Sequence, residues 1–149
     1  MIFTEAHADM NIKRTKSQTR RVKKEGDVPW YNDGRCKKVA YVRRANGTLK
    51  YCVGNTYANQ TGRGEPANGR IRLLAIREER LQDISSADMT AEGYPIFTLL
   101  AYPLSVRLRG QQSRFVEAWD SIVPRKDRWE KNRPVWVLVY EYVQDSEAK

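Results

Sequence analysis

The sequence predicts an α+β fold, on three observations. Asn46-Gly47 sits between two alternating stretches, Cys36 to Arg44 and Thr48 to Val53, which is the strongest hairpin signal in the chain. Arg70 to Ile76 and Pro134 to Val143 carry the patterns of a half-buried and a fully buried strand. Helix signals lie between and around these strands: Thr4 and Ser85 as N-caps, and Phe115, Trp119 and Ile122 spaced four and three apart on one face.

Taken in order, Met1 to Phe3 opens as a short strand and Thr4 caps a helix through Met10, with Glu5 in its first turn. Gln18 to Val22 is a short strand. Lys23 to Gly34, polar and broken by Gly26, Pro29 and Gly34, reads as a loop holding Trp30 and Tyr31. A two-residue turn at Asn46-Gly47 places Cys52 opposite Tyr41, leaves Cys36 far from it and argues against a disulfide. Gly54 to Gly69 is a second loop, and Leu81 and Ile84 extend the core beyond the strand at Arg70 to Ile76. Ser85 to Asp88 starts a helix that Glu92-Gly93 ends. Gly93 to Gly110 reads as a buried connector, Gln111 to Val123 as a helix and Pro124 to Arg133 as a charged loop. The length fits one domain over residues 1–143, with a frayed tail over 144–149.

The net charge of +9 is concentrated near the start: residues 1–50 hold thirteen Lys or Arg against five Asp or Glu, and residues 51–149 hold fourteen against thirteen. Such asymmetry points to a polyanionic partner, nucleic acid before an anionic membrane surface. No apolar run approaches the roughly 20 residues that span a bilayer. Met1-Ile2-Phe3 runs straight into charged residues rather than a signal peptide, so a cytoplasmic location is expected. Two cysteines and one histidine, His7, are too few for a zinc-finger or zinc-ribbon site, and neither metal nor cofactor is expected.

The stretch Lys13 to Arg21 gathers amines, guanidinia and hydroxyls. On a helical turn, Lys16, Thr19 and Arg20 share a face; on a strand, Thr19 and Arg21 do. Lys16 and Thr19 converge either way, pairing a hydroxyl nucleophile with an amine that activates it. Glu92, an acid at a helix C-terminus where the dipole disfavours it, has the local misfit expected of a functional residue. Arg14, Arg20 and Arg21 are candidate phosphate or base contacts, as is Arg63 between Gly62 and Gly64. Trp30 and Tyr31 either stack on bases or fold back as a lid on the core. His7 reads as a partly exposed helix histidine rather than a catalytic base.

Five segments in this order resemble an ASCH domain: Met1-Ile2-Phe3, Lys16 to Arg21, Gly62-Arg63-Gly64 ahead of Gly69-Arg70-Ile71, Arg80 to Gly93, and Trp129 with Val135-Trp136-Val137. The likeness is greatest to the compact, single-domain ASCH proteins of phages and prophages, which would place this one in a host cytoplasm. The resemblance implies a PUA-like fold, a mixed β-barrel with flanking helices and a cleft beside the first helix. It implies binding of RNA, single-stranded nucleic acid or a modified nucleoside. It also implies amidohydrolysis of an acylated nucleoside such as acetylcytidine, with Lys16, Thr19 and Glu92 as the catalytic residues. Ribonuclease activity and noncatalytic binding of a host factor are the alternatives. The chain is longer than the ASCH amidohydrolases, by an added hairpin and the Gly93 to Gly110 connector.

Overall fold

The computed structural model describes residues 1–32, 38–99 and 101–144. Thr4 caps helix α1 (Glu5–Ile12), its hydroxyl accepting from the His7 amide at 3.3 Å. The helix stops where Arg14 takes a left-handed φ of 58°, and strand β1 (Gln18–Val22) follows. Among the described residues, six further strands and two further α-helices complete an α+β architecture: β2 (Val28–Tyr31), β3 (Val39–Arg43), β4 (Leu49–Cys52), β5 (Thr56–Ala58), β6 (Arg70–Arg80), α2 (Ser86–Ala91), α3 (Leu104–Ile122) and β7 (Pro134–Val143).

Two antiparallel sheets result, ordered β1-β7-β6-β5 and β2-β3-β4, and a parallel bridge between Ile2 and Gln60 ties the N-terminus to the loop after β5. Strand β7 is buried on both faces. Trp136, Leu138 and Tyr140 join Ile71, Leu73, Val39 and Val42 in a core between the two sheets, with Phe3 and Ala8 beside it. Val135 and Val137 face the other way, onto Leu81, Met89, Phe115 and Trp119 beneath α2 and α3. Alternation along one strand thus feeds two cores.

Several boundaries differ from the sequence-based expectation. Val28 to Tyr31 is a strand rather than loop; β2 lies at a sheet edge, where Pro29 needs no ladder donor. The β3–β4 turn has three residues, closed by Arg44 and Thr48, with Gly47 at a φ of 82°. Tyr41 still faces Cys52, because a register shift between Val42 and Arg43 restores the pairing that a two-residue turn would give. Cys52 is a free thiol, and Cys36 lies outside the described residues. Strand β5, only three residues long, is too short to show a period. Strand β6 runs on through Arg77 to Arg80 because β7 pairs with it along its whole length.

The connector after α2 is not buried: Phe97, Leu99 and Tyr102 are each more than half exposed. Helix α3 begins seven residues before Gln111, and its buried face is Gln111, Phe115 and Trp119; Ile122 is exposed. The Pro124 to Arg133 loop contains two 3-10 turns, Arg125–Asp127 and Trp129–Lys131, and returns Trp129 edge-on to Phe115.

Asp27 holds the second sheet to the first. It is buried, and its carboxylate accepts from the Trp136 indole at 3.0 Å, the Lys24 amide at 3.0 Å and the Lys50 ammonium. Burial alone would raise its pKa, but hydrogen bonds from Lys50, Trp136 and Lys24 bring it below the usual carboxylate value. Asp27→Ala leaves Lys50 and the indole without their partner and should lower the unfolding free energy by about 3 kcal/mol. Asp27→Asn, which keeps an acceptor, should lose about half as much. Urea denaturation measures both, and wild-type stability in Asp27→Ala would show that this carboxylate does not join the sheets.

Candidate functional site

Strand β1 is one edge of the four-stranded sheet, and its two faces serve different helices. Gln18 and Arg20 point toward α2, whereas Thr19 and Arg21, opposite Leu138 and Trp136, point toward α1 and the inter-sheet core. A cleft of about 890 Å³ wraps this edge. Its walls are Phe3, Thr4 and His7 from the start of α1, Thr19 to Val22 of β1, Glu92 and Tyr94 after α2, and Phe115 and Trp119 of α3. Lys24, Arg44, Lys50 and Tyr51 close the side toward the second sheet.

Glu92 is the C-cap of α2 and only 4% exposed. Its Oε2 accepts from Lys16 Nζ at 2.9 Å, its Oε1 from Arg20 Nη1 at 3.1 Å, and its backbone carbonyl from Lys16 Nζ at 2.8 Å. Gly93 follows, packed against Met10 of α1. It has a φ of +101°, and a Cβ there would sit 2.6 Å from Met10 Sδ. Burial pulls the Lys16 pKa down; Glu92 partly restores it, and the charges of Arg21 and Arg20 lower it further, leaving it below the ordinary lysine value.

Arg20 carries the rest of the network. Its Nη1 also donates to Gln18 Oε1 at 2.8 Å, and its Nη2 donates to Glu79 and, at 3.0 Å, to Asp88 Oδ2. Asp88 is shared with Arg77 at 2.9 Å. Sequence reasoning missed Glu79 and Asp88: Glu79 lay past the expected strand end, and Asp88 read only as part of the α2 start. The strand alternation Arg77, Glu79 was the available signal for the first.

Thr19 is buried, lines the cleft and makes no side-chain hydrogen bond among the described residues. Arg21 also lines the cleft, donates to the Ile2 carbonyl at 2.7 Å and lies over the Phe3 ring. Lys16 lies behind Glu92, its side chain closed to solvent. The remaining predicted contacts lie elsewhere. Arg14 and Arg63 are exposed and outside the cleft walls, Tyr31 packs on the inter-sheet core, and Trp30 stands exposed on the second sheet.

His7 and Tyr94 form a pair in the cleft wall that was not anticipated, His7 Nε2 lying 2.9 Å from the tyrosine hydroxyl. Burial, then the charges of Lys16 and Arg21, push the imidazole down to about 4. Burial and the Glu92 charge push Tyr94 up to about 12. Among the described residues no group of three or more His, Cys, Asp or Glu could hold a metal ion. No helix among them is long and apolar enough to cross a membrane.

No family model and no curated protein matches the chain. A crystal structure of an ASCH domain from Lactobacillus crispatus JV V101 is similar over 93% of this chain and 71% of its own, at 14% identity and a TM-score of 0.49.

The depressed imidazole sets a pH dependence. Between its ordinary 6.5 and its folded value of about 4, the unfolded chain takes up a proton at His7 that the folded chain refuses. Stability should therefore fall as pH drops through that window, and His7→Gln should flatten the fall. Asp27 and Asp88, held below 3.8, add their loss only at lower pH as their folded forms protonate. Urea midpoints from neutral pH to below 4 test this, and an unchanged slope in His7→Gln would refute it.

Proposed function

We propose that the cleft beside β1 binds a nucleoside, free or within RNA or another single-stranded nucleic acid, and hydrolyses an amide on its base. The observation that carries this reading is the Lys16–Glu92 pair at 2.9 Å beneath a cleft whose wall presents the unbonded hydroxyl of Thr19. A polyanion or nucleotide is favoured by the cations Arg21, Lys24 and Arg44 around the opening. The motif resemblance to ASCH proteins points to the same substrate class.

The chemistry follows from the amine. Two positions of Lys16 Nζ are taken by hydrogen bonds to the Glu92 carbonyl and carboxylate, and a third by its own Cε. A neutral amine then has one remaining position, its lone pair, and a lowered pKa raises the neutral fraction at working pH. In the proposed reaction this lone pair takes the Thr19 proton as the oxygen attacks the amide carbonyl. Collapse of the tetrahedral intermediate breaks the carbon–nitrogen bond, and the departing amine receives the proton from Lys16. Water then hydrolyses the threonyl ester: the Lys16 amine takes a proton from the attacking water and passes it to the departing Thr19 oxygen, which releases the carboxylic acid and restores both the neutral amine and the hydroxyl. Glu92 and Arg20 position Lys16 throughout.

Acetylcytidine is the substrate to test. Wild type should release acetate and cytidine; Thr19→Ala should reduce turnover by about a hundredfold or more, and Thr19→Ser should retain part of it. Lys16→Ala leaves Glu92 and Arg20 unbalanced, so its loss of turnover counts only if the circular dichroism remains that of wild type. Wild-type turnover in Thr19→Ala would refute the nucleophile, and no turnover in wild type would refute this reaction.

A further inference from the structure

The outer face of the three-stranded sheet carries a row of groups that the cleft does not use. Register places Val28 opposite Arg43 and Trp30 opposite Tyr41, and Arg43 in turn opposite Leu49. Pairing residues share a face, so these five side chains lie together on one side. The other side carries Val42, fully buried, and Tyr51, both packed on the core. A bulge between Trp30 and Tyr31 turns Tyr31 and Val39 inward and leaves Trp30 outward.

The outward row is built for flat ligands. The Trp30 and Tyr41 rings lie 5.9 Å apart and 5° from parallel, and the Arg43 guanidinium lies 5.3 Å from the Tyr41 centroid. Trp30 is 60% exposed, an unusual state for an indole with no partner beyond one neighbouring ring. Its position is fixed by that stacking and by strand pairing, so binding a second ring costs little ordering.

Charge identifies the class of ring. Among the described residues of the three strands, the charged ones are Arg43 and Lys50, and Lys38 and Arg44 flank them without a carboxylate on the same strands. Asp27, the nearest acid before β2, is buried and spent on Lys50 and Trp136. Arg44, next along the chain from Arg43, lines the cleft together with Lys50 and Tyr51. The platform and the cleft therefore meet along β3 and β4.

We propose that this face is a stacking platform for single-stranded nucleic acid, Trp30 and Tyr41 taking bases and Arg43, with the cations beside it, taking the phosphates. The strand then runs from the platform over Arg44 into the cleft, so that the target is a nucleotide within a chain. This extends the cleft reading but does not depend on its chemistry.

A fluorescein-labelled oligoadenylate of about ten nucleotides is the probe, with binding read by anisotropy across a salt series. Trp30→Ala should weaken binding about tenfold or more with little change in salt slope, and Trp30→Phe should recover part of the loss. Arg43→Ala should weaken binding and reduce the magnitude of the slope by about 0.7, the share of one phosphate on a single strand. Urea midpoints of these surface variants should match wild type, which separates lost contact from lost folding. Wild-type affinity in Trp30→Ala would overturn the platform, and so would failure of the wild-type protein to bind the oligonucleotide. Neither result touches acetylcytidine turnover, and lost turnover with intact oligonucleotide binding would leave the platform standing without the hydrolase.

Discussion

The structure depends on one buried guanidinium. Arg20, 3% exposed on the edge strand, binds Glu92, Glu79 and Asp88 together, and these acids belong to the end of α2, the far half of β6 and the first turn of α2. A guanidinium can do this because its planar fork offers several donors in fixed directions, where an ammonium offers a compact point charge. Removing either side would leave like charges buried together, a change that costs about 3–5 kcal/mol in comparable pairs. These ion pairs tie β1, β6 and α2 to one another. They fix α2 against β1 at the one angle that brings Glu92 to Lys16.

That angle is supported from both directions. On the α1 side, Asn11 donates to Asn59 at 2.9 Å and accepts from the Tyr140 hydroxyl at 2.6 Å, so the helix is bonded to the loop after β5 and to the central strand. On the α3 side, Gln111, wholly buried, donates to the Tyr94 carbonyl at 2.7 Å and to Ser86 and Thr90. The cleft is therefore framed by two polar anchors within apolar packing, Asn11 and Gln111, whose side-chain amides are hydrogen-bonded where they are buried. Gly69 contributes a steric fit at the sheet's end: at its φ of +76° a Cβ would run into the Tyr142 hydroxyl.

The elements legible in the sequence were those whose period is their own. Pro134 to Val143 declared a doubly buried strand, Thr4 and Ser85 declared caps, and both appear in the structure. Lys16 and Glu92, read as members of one site, lie in contact although 76 residues apart. What escaped was decided by tertiary neighbours. Val28 to Tyr31 is a strand because β3 pairs with it, despite Gly26 and Pro29 nearby. The run Arg77 to Arg80 is a strand because β7 pairs with it, and its charges find Arg20, Asp88 and Lys23. The His7–Tyr94 contact joins residues 87 apart and has no local pattern at all.

The sharing of Glu92 is what separates its ion pair from an ordinary structural one. A carboxylate facing a single buried ammonium stabilises the charged form with both oxygens and would hold its proton firmly. Here Arg20, whose guanidinium never gives up its proton, takes Oε1 and leaves only Oε2 to Lys16. The same guanidinium repels the ammonium, as Arg21 does from the other face of β1. Desolvation then outweighs what half a carboxylate returns, and the lysine settles below its ordinary pKa. Arg20 thus does more than pin α2 in place: by taking one oxygen of Glu92 it leaves the buried Lys16 only the other, and in the proposed reaction this is what frees the amine to exchange a proton with Thr19.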